Sequence, residues 1–398
     1  MHERRPLTPD GVPDDAPLAG VIVLEESQAR SVKFAGRLLA SYGATVIGLV
    51  GGAGIGDADS LSEAAEAFLD AGKFSLKFDR TSAAGAALLT ELESHADIVI
   101  RFVDPDDAAS GAAAPATDGP VRIDLSWFGR TGPWSGFLCD DFLAQHASGM
   151  AFTSALRMED TTANGPRAVP GHLAEMVAGL AAATAAMIAL TGGESGRPAR
   201  SIDISIAESI VSFMRYETVI YSYGWGLPSR SKLARSPVAA PVFQQATADG
   251  FVDMLIMQEA PWRALLEILG SPPWGNDEIF ATHPSRSEFW DALEPLLQAE
   301  LRERPTADVY EAGQRRGIAI APVNTIAQAA SAPQFRERHY FAELPVEERS
   351  MQAPGRPFHL GEPIRSRRAP RTGEDNRRVF VDWLGHSLEE LQDAGVGL

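Results

Sequence analysis

The sequence predicts an open α/β sheet with a smaller, more helical middle region. Three observations carry that expectation. Residues 20–50 read strand, helix, strand: GVIVL at Gly20–Leu24, a helix-periodic run at Val32–Tyr42, and ATVIGLV at Ala44–Val50. Such a unit pairs its strands in parallel through a right-handed crossover. The alternation continues to about residue 126, and 398 residues suffice for two domains with a sizeable core.

The remaining elements follow from local pattern. A short helix is expected at Ser62–Leu69, a strand at Ser75–Phe78, a helix at Ala83–His95, and strands at Asp97–Phe102 and Val121–Ser126. Asp104–Gly119 is low in complexity and reads as a loop. Helical material follows at Asp141–Gly149 and within Ala168–Gly193, then a strand at Ser201–Ile206 and a helix at Ala207–Tyr223. Leu227–Ala240 reads as a basic loop with Arg230, Lys232 and Arg235. Strands are expected at Phe251–Met257 and Ala319–Val323, and helices at Trp262–Leu269, Ser287–Arg302, Thr306–Gly317 and Ser387–Ala394. Pro354–Arg371 reads as extended, and no internal repeat is visible.

Composition bounds the function. The net charge of −18 argues against nonspecific nucleic-acid binding and against anionic membrane surfaces. Only 4 of the 35 basic residues are lysines, and Lys73 and Lys77 share one short segment. The single cysteine, Cys139, excludes an intrachain disulfide and a Cys-based metal cluster. The first 17 residues are polar and Pro-rich, with no apolar signal core, so a flexible or draping arm and a cytoplasmic location are expected.

The most informative feature is one acid. Between Ala168 and Gly193, Glu175 is the one carboxylate in an apolar, helix-forming run. Burying a lone acid there is costly. At helical spacing Glu175 shares a face with Gly179, Ala182, Ala186 and Ala189. Leu173, Met176, Val177, Leu180 and Met187 lie opposite and are expected to anchor the helix in a core, leaving the small face open to close approach. The helix N-terminus favours the anion and apolar surroundings disfavour it, a combination that suits a nucleophile. The plainer account is an acid that offsets the helix dipole, with the small face packed on another helix. The run is near membrane-spanning length, but its Glu, its Ala content and the lack of flanking basic clusters favour a buried helix.

Other motifs are weaker. Gly51–Gly56 follows a strand, but its spacing is not that of a dinucleotide fingerprint, so a nicotinamide-dependent enzyme is disfavoured. His172 and Glu175 are spaced as metal-ligand pairs can be; no third ligand is close in sequence, so no metal site is expected. Of the adjacent acids Asp140 and Asp141, one reads as a helix N-cap and the other as a possible site residue.

Taken in order, these segments resemble the family III CoA-transferases, the group that includes formyl-CoA transferase, carnitine CoA-transferase and α-methylacyl-CoA racemase. The stretches that carry the resemblance are Gly20–Gln28 with Ala35–Val50, Gly72–Asp79 (GKFSLKFD), Ala96–Phe102 (ADIVIRF), Phe128–Trp134 (FGRTGPW), Phe142–Gly149 (FLAQHASG), Gly171–Ala183, Gly196–Ser209, Thr247–Val252 and Pro322–Thr325. They span roughly residues 18–397. The resemblance implies a large Rossmann-like α/β domain, a small middle domain, and two chains interlocked as linked rings. The implied division is 1–17 as an arm, 18–200 as the first part of the large domain, 201–325 as the small domain with linkers, and 326–398 returning to the large domain.

The resemblance also implies a reaction. Family members move CoA between carboxylic acids through an acylated aspartate, with no tightly bound cofactor. This sequence has Glu175 where that aspartate stands. One extra methylene shifts the reacting oxygen by about 1 Å, and misplacement on that scale can cost about 100-fold. By the same carry-over, Asp140, Asp141 and Gln145 help shape the acyl pocket, and Gln28, Ala29, Leu76 and Lys77 hold the nucleotide part. Gly51-Gly52 stands where the family places charged residues, and Phe74 replaces an Arg; Arg101, beside Phe102, with Lys73, Lys77 and Arg130 then supplies the remaining cations. Asp140-Asp141 replaces the racemase branch's His–Asp pair, which disfavours racemase chemistry. Two readings follow: an active CoA-transferase taking an acyl-CoA and a carboxylic acid, as a homodimer or as a heterodimer with a paralogous chain, or a non-catalytic subunit beside a catalytic paralogue.

Overall fold

Six parallel strands frame the site. The computed structural model describes residues 7–51, 62–109, 119–153, 165–192, 201–224, 242–362, 364 and 367–397. The glycine-rich turn over 52–56 and the basic loop over 227–240 lie outside them.

In chain order the first unit contains β1 (Ile22–Glu25), α1 (Arg30–Ser41), β2 (Thr45–Val50), α2 (Glu63–Leu69), β3 (Phe74–Lys77), α3 (Ala83–His95), β4 (Ile98–Phe102), α4 (Pro105–Ala109), β5 (Val121–Ser126) and α5 (Asp141–Ala147). After α6 (Met150–Thr153) come α7 (Leu173–Thr191), β6 (Ser201–Ser205), α8 (Ile206–Phe213) and α9 (Arg215–Ser222). The strand order is β3-β2-β1-β4-β5-β6, and every neighbouring pair is parallel. Apolar β-branched runs suit strands covered on both faces. One face packs Val23, Val46, Ile98 and Ile123 against α1, α7 and α8; the other packs Leu24, Leu49 and Val99 against α3 and C-terminal residues Val379 and Phe380. Winding reverses between β1 and β4, and open α/β sheets bind ligands outside the carboxyl ends of the strands at such a point. Gln28–Arg30 and Phe102 lie there.

The chain divides into two compact units: Met1–Met150, Ala168–Met214 and Glu337–Leu398 form one, and Ala151–Arg167 with Arg215–Arg336 the other. This differs from the implied boundary at 201. Ser201–Ser205 hydrogen-bonds beside β5 as the sixth strand, and α8 packs on α7, so both stay with the large sheet. The second unit has a three-stranded antiparallel sheet of β7 (Val242–Ala246), β8 (Phe251–Leu255) and β9 (Ala319–Pro322). α10 (Glu259–Ile268), α11 (His283–Glu288), α12 (Trp290–Leu301) and α13 (Thr306–Arg315) accompany it, with Trp262, Leu265, Leu293 and Val309 in its core. The chain continues through α14 (Ile326–Ser331) and α15 (Pro333–Glu337) to a hairpin of β10 (Phe341–Val346) and β11 (Arg349–Pro354), and ends with α16 (Leu388–Asp393).

Several local expectations are corrected. The Asp104–Gly119 stretch begins with α4, not loop. The single helix expected at Ala207–Tyr223 is two, and that at Ser287–Arg302 is interrupted at Phe289. Of the two forms expected of the arm, its described part drapes: Leu7 is buried, its carbonyl accepts from Thr45 Oγ1 at 2.7 Å, and Arg378 binds Asp10 and the Thr8 carbonyl.

The facing of α7 is corrected in part. Its small face is buried: Glu175, Gly179, Ala182, Ala186 and Ala189 are all inside. Of the large residues expected to anchor the helix, Val177 is buried and Leu173 and Met187 pack against the same core, while Leu180 is 44% exposed. Close packing on α1 explains why the small face is buried as well. A Cβ at Gly179 would lie 2.6 Å from the Ser31 carbonyl oxygen and 3.1 Å from Phe34. Van der Waals contact between two backbones adds to the burial of long side chains.

Candidate active site

The turn into α7 aims Glu175. Gly171 and His172 both adopt left-handed backbone (φ 92° and 55°), and His172 caps the helix without a side-chain hydrogen bond. Glycine takes that conformation freely, whereas histidine is strained there. The N-terminal amides of α7 therefore need partners from elsewhere. Asp141 supplies one, its Oδ1 accepting from the Glu175 N–H at 3.0 Å.

Asp141 is itself fixed. Gln145 Nε2 donates to its Oδ2 at 2.8 Å and also to the Val169 carbonyl at 3.0 Å, while Gln145 Oε1 accepts from the Val169 N–H at 2.8 Å. Gln145 is almost fully buried, so this clamp is shielded from water. Asp140 caps α5 by accepting from the Leu143 N–H at 2.7 Å. Asp141 and Gln145 thus hold the start of α7 in place, and Asp140 fixes the helix that carries them.

The Glu175 carboxylate meets α1. Arg30 Nη1 lies 3.2 Å from its Oε2, and the Arg30 backbone N–H donates to the same carboxylate. Helix α1 has no side-chain cap and no acid in its own first turn, so Glu175 supplies both from 145 residues away. Glu175 is only 4% exposed. Burial raises its pKa above the ordinary glutamate value; Arg30 opposes the rise and nearby Asp141 adds to it. The result is a carboxylate held against a cation yet poorly solvated.

Glu175 lines a cleft of about 530 Å³, within the range of small-molecule sites. Phe102, Trp127, Cys139, Phe142 and Val169 supply its apolar wall, and Arg30, Asp141, His172 and Gln145 its polar groups. Burial pushes the Cys139 thiol up to about 12, so it is not a thiolate nucleophile. Asp141 joins His172 and Glu175, with candidate ligand atoms all within 4.8 Å, although the sequence spacing had suggested no third group. Arg30 already neutralises one of those carboxylates, and both Asp141 oxygens accept hydrogen bonds. The arrangement suits an ion pair better than a divalent cation.

Comparison with known proteins identifies the family. A sequence model described as CoA-transferase family III matches residues 18–376. The chain belongs to CoA-transferase family III. The succinate–glutarate CoA-transferase of Agrobacterium fabrum is 24% identical over 388 residues, covering 92% of this chain and 95% of that protein. A subunit, BbsE, of the succinyl-CoA:(R)-benzylsuccinate CoA-transferase of Thauera aromatica is 23% identical, covering 82% of each. The crystal structure of a CAIB/BAIF family protein from Brucella suis superposes with a TM-score of 0.76 at 21% identity, covering 92% of this chain and 99% of that one.

In this family III chain the residues singled out from sequence part company. Ala29, Phe102, Asp140, Asp141, Gln145 and Glu175 meet at the cleft. The expected cations do not join them. Lys73 is 2% exposed, and its ammonium donates to Glu25 Oε1 and Oε2 at 2.7 and 2.9 Å and to the Lys33 carbonyl at 2.8 Å. That uses its three donors, so a phosphate contact by Lys73 is corrected to a buried structural pair. Gly36 makes room for it: a Cβ there would lie 1.7 Å from Glu25 Oε1.

Arg101 and Arg130 both bind buried Asp124, Arg101 Nε at 2.6 Å from its Oδ1 and Arg130 Nη1 against Oδ2. Arg130, 8% exposed, is corrected likewise to a structural partner, whereas the Arg101 side chain stays 37% exposed beside its pair. Gln28 donates to the Leu49 carbonyl at 2.6 Å, tying the turn after β1 to β2. The Leu76 side chain is in the core, while Lys77 remains exposed at the end of β3, its N–H donating to Asn376 Oδ1 at 2.9 Å. Sequence reasoning missed Arg30. Its one signal was a cation in the turn after β1, at the switch point.

Proposed function

We propose that this chain moves CoA between an acyl-CoA thioester and a carboxylic acid through covalent intermediates on Glu175. The observation that carries the reading is the buried Glu175 carboxylate, paired with Arg30 and lining a cleft with an apolar wall. Removal from water leaves the carboxylate less stabilised as a free anion, and the guanidinium favours its ionised form.

The steps follow from that placement. A Glu175 oxygen attacks the thioester carbonyl carbon, the C–S bond breaks, and the CoA thiolate leaves a mixed anhydride. The thiolate attacks the Glu175 acyl carbon, which releases the first acid as a carboxylate and leaves glutamyl-CoA. The acceptor carboxylate then reverses both steps. Asp141 and Gln145 keep the α7 N-terminus in register, so they position rather than react. In this reading the nucleotide part lies toward Gln28 and Ala29, with Lys77 as a phosphate-facing cation. A homodimer accounts for the reading; BbsE carries the name of a subunit, which keeps pairing with a paralogous chain as the alternative.

The test is transfer measured with succinyl-CoA and a set of carboxylic acids. Glu175→Gln should lose on the order of 10³-fold or more, as nucleophile removal does. Glu175→Asp keeps the carboxylate about 1 Å out of place and should lose about 100-fold. Full activity of Glu175→Gln would end the proposal.

A further inference from the structure

Arg30 faces a problem that the resting geometry does not show. Its guanidinium lies 3.2 Å from Glu175 Oε2, its side chain is 14% exposed, and it forms part of the cleft wall. The proposed reaction, on which this inference rests, carries one negative charge from Glu175 to the thiolate and then to the released acid. In both covalent intermediates Glu175 is neutral. A buried guanidinium that loses one anionic contact gains from a second anion that takes its place.

Among the described residues, the other acids lining the cleft are already engaged. Asp141 is held by the Glu175 N–H and by Gln145, and Asp140 by the Leu143 N–H. Together these two acids also keep the cleft negative, which repels a second anion while Glu175 is ionised. The anion that arrives once Glu175 is acylated is the carboxylate of the acid itself. Guanidinium and carboxylate match in a bidentate geometry.

We propose that Arg30 is the carboxylate-recognition residue for the exchanging acid: it binds Glu175 in the resting chain and the acid's carboxylate when Glu175 is acylated. The rest of the acid would then lie against Phe102, Trp127 and Phe142, which favours a monocarboxylate with an apolar body of aromatic size. The alternation also keeps free acid from occupying the resting site.

Glu175→Gln mimics the neutral, acylated side chain, so the test needs no knowledge of the natural substrate. Benzoate binding is measured by isothermal titration, with benzamide as the uncharged control and thermal unfolding to verify each fold. Glu175→Gln should bind benzoate at least 10-fold more tightly than the unsubstituted chain and should bind benzamide equally. Adding Arg30→Gln should abolish the gain, and adding Arg30→Lys instead should keep part of it. Equal benzoate affinity for the unsubstituted chain and Glu175→Gln, or a gain that survives both Arg30 substitutions, would overturn the proposal. Acylation of Glu175 in the unsubstituted chain separates the two failures. An adduct without the gain sinks this inference alone, and no adduct sinks the nucleophile together with it.

Discussion

The Arg30 guanidinium and the Glu175 carboxylate meet at 3.2 Å across 145 residues of chain, where the N-termini of α1 and α7 converge. Two helix N-termini and one cation thus act on a single buried acid. Burial works against them and holds the pKa above the ordinary glutamate value.

This balance predicts the pH dependence of transfer. The nucleophile must be ionised, so kcat/KM should rise with pH along an acidic limb whose midpoint lies above that of free glutamate. Arg30 pulls the midpoint down, and Arg30→Gln should therefore move the limb to higher pH. A limb that stays in place in Arg30→Gln would show that another group sets it.

Gly179→Ala should disturb both stability and catalysis. Its Cβ would meet the Ser31 carbonyl at 2.6 Å, so α7 must shift against α1. Overpacking of this kind costs about 1–3 kcal/mol. Glu175 lies one turn away, and a displacement of about 1 Å costs on the order of 100-fold in rate. Leu180→Ala, on the exposed side of the same helix, should change unfolding free energy by no more than about 0.5 kcal/mol. Calorimetry and initial rates on the two variants check the contrast.

Lys73→Met should destabilise the chain by about 3–5 kcal/mol, because it strands Glu25 in the core. Replacing both partners with Met should recover much of that loss in urea unfolding. A double variant no more stable than the single one would contradict the structural role assigned to the pair.

Glu26 supplies a pH-dependent stability term. Burial and the neighbouring Glu93 push its carboxyl up to about 7, against the opposing pull of Arg101 and Arg122. Between the ordinary value and about 7 the native state holds a proton that the unfolded chain has released. This contribution is therefore full below the unfolded value and lost as pH rises through about 7. Glu26→Gln should gain stability relative to the unsubstituted chain between pH 5 and pH 8, measured by urea unfolding. A constant difference would refute the assignment.

The parallel sheet was legible because its strands are short apolar runs alternating with amphipathic helices. Strand β7 and the β10–β11 hairpin were not, since their alternation is weak and their pairing is decided by tertiary contact. The facing of α7 was legible in part: Val177 anchors the core as its size suggested, while close backbone approach at Gly179 buries the small face too. Lys73 and Arg130 looked like ligand-facing cations because their buried acidic partners, Glu25 and Asp124, lie on strands whose neighbours only the fold reveals. Glu175 was legible as an isolated acid in an apolar helix, and Arg30 was not, since nothing local ties the two together.

Mass spectrometry of the peptide carrying Glu175, after brief incubation with succinyl-CoA, tests the central claim most directly. The account predicts an adduct on Glu175 that hydroxylamine removes and that Glu175→Gln lacks. Turnover of the thioester with Glu175 unmodified, or with the adduct on another side chain, would contradict it.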